Sequence, residues 1–360
     1  MKAATVSISK RTKGILEMET PKITAPDQVL LRVLTVGVCA TDREICAFDY
    51  GDPPTGSDYL VLGHECLGEV VEVGAAVTAF KPGDLAVPMV RRPCEHPECV
   101  ACRAGRPDFC YTGDFTECGI KQRHGFMTEM IVDSEQYMNL LPGSLREVGV
   151  LTEPLTIAEK ALEQIKAVQT RLPWTGPHHA LVLGAGPVGL LGAMTLVNAG
   201  FDVTVYSKTP EPNPAADLAK AIGARYISSE QTPVDKMAEQ VGNIDVVYEA
   251  VGASQFAFDV LRVLGTNGLF LFTGVPGHHA PVPLDTDTIM RNIVLKNQAV
   301  VGSVNAGKIA FEEAIRDLTC FYQKWPNAVN GLITGRFPIE RFTEPIDGHA
   351  GIKNIIEIGS

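Results

Sequence analysis

Residues 178–200 read HHALVLGAGPVGLLGAMTLVNAG. The apolar run ALVL enters Gly184-Ala185-Gly186-Pro187-Val188-Gly189, and a helix-length apolar segment, GLLGAMTLVNAG, follows. Glycines at these positions allow a tight turn. They also let a pyrophosphate approach the N-terminus of the following helix, where unpaired N–H groups and the helix dipole favour anions. A glycine turn with no ligand is the competing reading, and the pattern alone is weak. Its context strengthens it. Strand-like FDVTVYS (201–207), IDVVYEAVG (244–252) and GLFLFTGV (268–275) alternate with helix-like ADLAKAIGA (216–224) and QFAFDVLRVLG (255–265). This alternation predicts an α/β fold: a doubly wound parallel sheet with helices on both faces. Gly184, Gly186, Pro187, Val188 and Gly189 are then cofactor-binding residues. Thr273 and Val275, at the end of a later strand, fall near the nicotinamide. The second strand ends at Ser207-Lys208, without the acidic residue that usually holds the ribose 2′-hydroxyl of NAD. A hydroxyl and an ammonium suit a 2′-phosphate, which points to NADP or to dual use; a solvated turn lysine is the other reading.

Upstream of this stretch the pattern changes. The first 150 residues are rich in Gly, Pro and short β-type runs such as QVLLRVLTVGV (28–38) and GEVVEVG (68–74), punctuated by turns such as Lys81-Pro82-Gly83-Asp84. They predict an irregular β barrel or sandwich. Near Glu153 a helical spacing begins, apolar at Ile157, Ala161, Leu162 and Ile165. From about Asn297 the pattern is mixed and ends in a strand near Asn354. The partition is a β-rich domain, 1–155, completed by 295–360, around an α/β domain, 156–294.

At 360 residues, and about 150 residues per domain, two domains are expected. Apolar residues make up 45% and charged residues 20%, an ordinary globular composition. A net charge of −11 argues against general nucleic-acid binding, which needs a basic face. No run approaches the ~18 consecutive apolar residues of a membrane helix, and MKAATVSISKRTKGIL has no apolar core of a signal peptide. A cytoplasmic location with reduced thiols is expected.

Two groups of residues have metal-binding chemistry. Four of the nine cysteines form Cys94-x4-Cys99-x2-Cys102-x7-Cys110, a spacing that can close a structural zinc site on a loop without its own core. Disulfides are the alternative, and His96 could take one ligand position. The second group is scattered: Cys39-Ala40-Thr41-Asp42, Gly63-His64-Glu65 and Glu153-Pro154. Spacing does not connect these three. One thiolate, one imidazole and one carboxylate would leave the vacant fourth position that a catalytic zinc requires.

These residues resemble the zinc-dependent medium-chain dehydrogenase/reductase family. Gly63-His64-Glu65-x2-Gly68-x5-Gly74-x2-Val77 matches its zinc signature, and the order of motifs matches along nearly the whole chain. The resemblance implies a GroES-like catalytic domain and a Rossmann domain, with the active site in the cleft between them. Within the family the chain is similar to the archaeal-type glucose 1-dehydrogenases. The pointers are Cys39-Ala40-Thr41-Asp42-Arg43-Glu44-Ile45, Val90-Arg91-Arg92, Asp108-Phe109-Cys110, Gly125-Phe126-Met127 and Gly302-Ser303-Val304-Asn305. There are departures: a longer first gap in the cysteine lobe, Glu44 where alcohol dehydrogenases often have histidine, Ile157 where some sugar members have an acid, and a lone Lys208.

What the resemblance implies is specific. Cys39, His64 and Glu153 would hold a catalytic zinc with Glu65 beside it, and the four cysteines a structural zinc. A hydride would pass from C1 of an aldose, D-glucose giving gluconolactone, to NAD(P)+. Thr41 would relay the proton or bind the hydroxyl. Glu117 and Asn305 would join Thr41 and Glu153 at the sugar, with Asn305 also near the cofactor. The plainer readings are a surface carboxylate for Glu117 and a turn residue for Asn305. Alternatives are a polyol, secondary-alcohol or threonine dehydrogenase, or a non-catalytic dinucleotide-binding protein. The partner would be a small sugar or polyol, with no nucleic acid and no membrane. A homodimer or homotetramer is expected, paired through an edge strand near Gly268–Val275.

Overall fold

The computed structural model describes residues 1–173, 178–277, 281–348 and 350–358. Contacts gather the chain into two units: Met1–Thr156 with Asn305–Ser360, and Ile157–Val304.

In the second unit the ALVL run forms the central strand, His179–Leu183, with Ala180 to Leu183 buried. It pairs in parallel with Asp202–Ser207 on one side and Val246–Glu249 on the other. The six strands lie in the order Arg225–Ser228, Asp202–Ser207, His179–Leu183, Val246–Glu249, Leu269–Phe272, Ala299–Gly302. Strand order therefore reverses at His179–Leu183, the switch point where such sheets bind ligands. A strand covered on both faces needs apolar residues throughout, which is why this one reads as an unbroken run. Val247, Phe270, Leu181 and Leu183 pack with Val260, Leu261 and Leu264 in one core cluster.

The helix Pro187–Asn198 starts at Gly186, with Pro187 at its first position, where a missing N–H costs nothing. Gly184 has φ +97°. A Cβ at Gly189 would overlap the carbonyl of Gly184. The third glycine of the motif is thus a steric condition for this helix to lie against its strand.

The expectation of a parallel α/β sheet holds, with two differences. Residues 295–304, read as part of the first domain, lie with the second unit. Ala299–Gly302 adds a parallel strand to the open side of Leu269–Phe272. For the same reason the segment near Gly268–Val275 is not an edge; Leu269–Phe272 lies between two partners, and the edge strand is Ala299–Gly302.

The first unit is built on the 11-residue strand Gln28–Val38. One side pairs with Glu65–Val73. The other is shared: residues 28–32 pair with Met130–Ser134, and 35–38 with Lys353–Glu357 near the end of the chain. Two smaller three-stranded sheets flank it, one of them Arg91–Arg92, Thr116–Cys118 and Gln122–Arg123. Among the described residues no helix is long and apolar enough to cross a membrane.

Replacing Gly189 with Val should separate helix from strand and destabilise the second unit by about 2 kcal/mol or more. Calorimetry should show a lower unfolding temperature. An unchanged one would contradict the close approach.

Candidate zinc and dinucleotide sites

The strand Gln28–Val38 runs directly into Cys39, which caps the helix Ala40–Cys46. The cap fixes the thiol. Cys39 Sγ accepts the Thr41 N–H at 3.3 Å, and Asp42 Oδ2 accepts the Cys39 N–H at 2.9 Å. His64 immediately precedes Glu65–Val73, the neighbouring strand, in which Glu65 lies opposite Gly37. Two motifs 25 residues apart are thereby adjacent: Cys39 Sγ lies 3.1 Å from His64 Nε2.

Behind the imidazole, Asp42 Oδ1 lies 3.7 Å from His64 Nδ1, and Asp42 is fully buried. Neither of these atoms has a hydrogen-bond partner. A carboxylate behind one ring nitrogen is the usual way to orient an imidazole whose other nitrogen binds a metal. Burial opposes the charged imidazolium, yet facing Cys39 and Asp42 raise the His64 pKa well above its ordinary value. The corner favours positive charge.

Glu65 reaches the same place. Cys39, His64 and Glu65 offer one sulfur, one nitrogen and one oxygen, all within 4.8 Å of one another. Glu65 is ion-paired with Lys353, which also donates to the carbonyl of Val38 at 3.0 Å. Both side chains are buried. A Cβ at Gly37 would overlap Glu65 Oε2 and come within 2.9 Å of Lys353 Cε, so the pair needs a glycine beneath it. Glu153 lies in the first turn of the helix Thr152–Gln169, buried, and outside the three-residue group. Burial first, then the charge of Glu65, push its carboxyl up to about 7 against the pull of His64 and Lys353. Glu65, tethered by Lys353, is the carboxylate grouped with the thiol and imidazole, and Glu153, the expected ligand, stands close enough for its charge to act on His64.

The four lobe cysteines also converge within 4.8 Å. Cys94 Sγ lies 3.6 Å from Cys102 Sγ, and Cys99 Sγ lies 3.9 Å from Cys110 Sγ. A disulfide would need about 2.05 Å. A tetrahedron with zinc–sulfur bonds of about 2.3 Å has edges of about 3.8 Å, so the spacing fits zinc. Backbone N–H groups of Cys102 and Tyr111 lower the Cys99 pKa. Against the cost of burial, the Thr112 hydroxyl and the N–H groups of Gly113 and Thr112 hold Cys110 down to about 6. These donors favour thiolates at Cys99 and Cys110, while burial pushes the Cys102 thiol up to about 12. His96 is half-buried and paired with Asp114 (2.6 Å) and Glu98 (3.4 Å), and the four sulfurs converge without it.

Glu117 and Asn305, 188 residues apart, are directly bonded: Asn305 Nδ2 donates to Glu117 Oε1 at 2.8 Å. Glu117 is buried beside Arg91, not a surface carboxylate. Thr41 lies in the first turn of the Ala40–Cys46 helix.

In the second unit a cavity of about 610 Å³ opens over the glycine turn, lined by Gly184, Gly186, Ser207, Lys208, Ser229 and Glu230. A Cβ at Gly186 would meet nothing within 4 Å, leaving room for a ligand to touch the backbone. Pro187 and Val188 open the helix at the same turn. Lys208 Nζ stands 3.9 Å from Glu230, both exposed. The sequence reading found no acid after the second strand; Glu230 arrives from the next one. Glu249, also missed, accepts from the N–H groups of Val251 (2.8 Å), Gly252 (2.7 Å) and Gly274 (3.1 Å). It pins two loops at the strand ends, and Thr273 Oγ1 donates to its carbonyl at 2.6 Å. Val275 is 72% exposed.

Residues 146–358 match the family model described as glucose dehydrogenase C-terminus, and residues 25–143 the alcohol dehydrogenase GroES-like domain. Glucose 1-dehydrogenase of Methanocella arvoryzae is 38% identical, with 100% of both chains covered. That of Thermoproteus tenax is 38% identical, with 99% of both covered. Among solved structures, Haloferax mediterranei glucose dehydrogenase in complex with NADP, Zn and gluconolactone superposes with a TM-score of 0.89 at 34% identity, covering 100% of both chains.

Lys353→Met should leave the Glu65 charge buried and unpaired, at a cost of about 3–5 kcal/mol. Urea unfolding should show the loss, and adding Glu65→Leu should recover part of it. A Lys353→Met protein as stable as the parent would refute the buried ion pair.

Proposed function

This chain belongs to the zinc-dependent medium-chain dehydrogenase family, and on that basis we propose that it is a glucose 1-dehydrogenase, oxidising D-glucose at C1 to gluconolactone with NADP+. The carrying observation is the convergence of a thiol, an imidazole and a carboxylate beside the buried Asp42. This donor set suits Zn2+ with a vacant position for substrate. Cys39 and His64 hold the ion with a carboxylate, Glu65 or Glu153, and Zn2+ there supplies a Lewis acid for the C1 hydroxyl. The four lobe thiolates fill every position around a second, structural zinc.

The protein's own groups do the rest. Asp42 orients the His64 ring. Lys353 and Gly37 set where Glu65 stands. The Thr41 hydroxyl takes the proton of the C1 hydroxyl and passes it to solvent. The C1–H electron pair leaves as hydride for nicotinamide C4, and the C1–O bond becomes the lactone carbonyl. Glu117, Asn305 and Glu153 accept or donate hydrogen bonds to the remaining sugar hydroxyls, because polyol recognition needs directional polar partners. Gly184, Gly186, Pro187, Val188 and Gly189 receive the pyrophosphate at the helix N-terminus. Ser207 and Lys208 face the 2′-phosphate, and Glu230 beside them suits a free 2′-hydroxyl, so NAD also binds. Thr273 and Val275 flank the nicotinamide. The protein works in the cytoplasm, where its thiols stay reduced. It pairs into a homodimer or homotetramer through the edge strand Ala299–Gly302.

Cys39→Ala or His64→Ala should abolish glucose oxidation while NADPH binding, followed by its fluorescence, persists. Metal analysis should show the zinc content fall from about two ions per chain to about one. Full activity with unchanged zinc would reject the catalytic assignment. Lys208→Ala should raise the Michaelis constant for NADP about tenfold and leave that for NAD unchanged, the cost of a lost charged contact. A parent enzyme that strongly prefers NAD would overturn this cofactor reading.

A further inference from the structure

Arg91 and Glu117 lie directly opposite each other on two antiparallel strands, so their side chains leave the sheet together. Both are buried. Arg91 donates from Nε to Glu117 Oε1 at 3.0 Å, and its Nη2 stands 3.0 Å from that same oxygen in the ion pair. The Asn305 amide donates to that same oxygen at 2.8 Å. Asn305 holds φ +58°, a conformation that asparagine tolerates better than most residues. The remaining arginine nitrogen, Nη1, donates to the carbonyls of Pro107 (3.3 Å) and Asp108 (3.5 Å), three and two residues before Cys110. The guanidinium also lies 3.6 Å over the Phe115 ring.

An ion pair that served only to offset burial would spread its donors over both carboxylate oxygens, as a fork-to-fork pair does. Here the Arg91 Nε–H and the Asn305 amide both bond Oε1, and Arg91 Nη2 stands against that same oxygen. We propose that Arg91 is a positioning residue for sugar selection: it saturates Oε1 of Glu117, presents Oε2 to one substrate hydroxyl, and ties that carboxylate to the cysteine lobe. This rests on the reading of Glu117 as a sugar contact.

Lysine at position 91 keeps the charge but has no fork and no second nitrogen to reach the lobe. The test compares D-glucose with its four monodeoxy analogues at saturating NADP+ in the parent, Arg91→Lys, Arg91→Met and Glu117→Gln. In Arg91→Lys the Michaelis constant for glucose should rise about tenfold, with kcat changed less, the scale of one misdirected hydrogen bond. The NADPH dissociation constant should not move. One deoxy analogue should lose most of its penalty relative to glucose, and the same analogue should stand out in Glu117→Gln. Should Arg91→Met fail to fold, the lysine variant decides, with NADPH binding as the check on folding. A parent-like deoxy profile in Arg91→Lys, while Glu117→Gln alters it, overturns the role of Arg91. A parent-like profile in Glu117→Gln overturns the sugar reading beneath it.

Discussion

Cys39 Sγ and His64 Nε2 stand 3.1 Å apart in a buried corner crowded with carboxylates, and an arrangement of so many electron-rich groups needs a cation. Unpaired buried charge is expensive. The first unit answers with two devices. Lys353, on the last strand, neutralises Glu65. The His64 ring, backed by Asp42, turns its other nitrogen toward the thiol. What remains is a pocket whose electrostatics favour a divalent ion, and the sheet is built to keep its walls in place. The strand Gln28–Val38 ends at the thiol and lies beside the strand led by the histidine; its other side receives the lysine-bearing strand. Three distant stretches of chain thus meet around one residue without a side chain, Gly37.

The two units deal with charge in opposite ways. The first gathers donor groups suited to a metal, both at Cys39 and His64 and in the cysteine lobe. The lobe has only a small apolar cluster, made largely of its own cysteines, so ligation must replace a core. The second unit offers a helix N-terminus and backbone N–H groups to an anion. There Glu249 ties together the strand-end loops through the N–H groups of Val251 and Gly274, at the switch point of the sheet. In the proposed function the first unit holds the ion that polarises the substrate and the second the cofactor that accepts its electrons.

The parallel sheet was legible because a strand buried on both faces must be apolar throughout, and because the glycine turn has a steric cause that shows in sequence. The four cysteines were legible because their ligands are local. The edge of the sheet was not: Ala299–Gly302 is short and lies past the last clear alternation, so 295–304 read with the first domain although they lie with the second unit. Nor were the partners that act across sequence. Lys353 sits in the plain strand Lys353–Glu357, and its role appears only when that strand lies beside Gly37. Arg91 was visible within Val90-Arg91-Arg92, but no pattern said it faces Glu117. The competition between Glu65 and Glu153 is likewise a matter of packing. Both are single acids next to a motif residue; Glu65 lies within 4.8 Å of the thiol and imidazole, and Glu153 acts on His64 through its charge.

Anomalous diffraction at the zinc absorption edge, from crystals grown with Zn2+ and NADP, bears most directly on this arrangement. Two peaks per chain are expected, one inside the four lobe sulfurs and one within about 2.5 Å of both Cys39 Sγ and His64 Nε2. A single peak in the lobe, with the thiol and the imidazole turned apart, would contradict it.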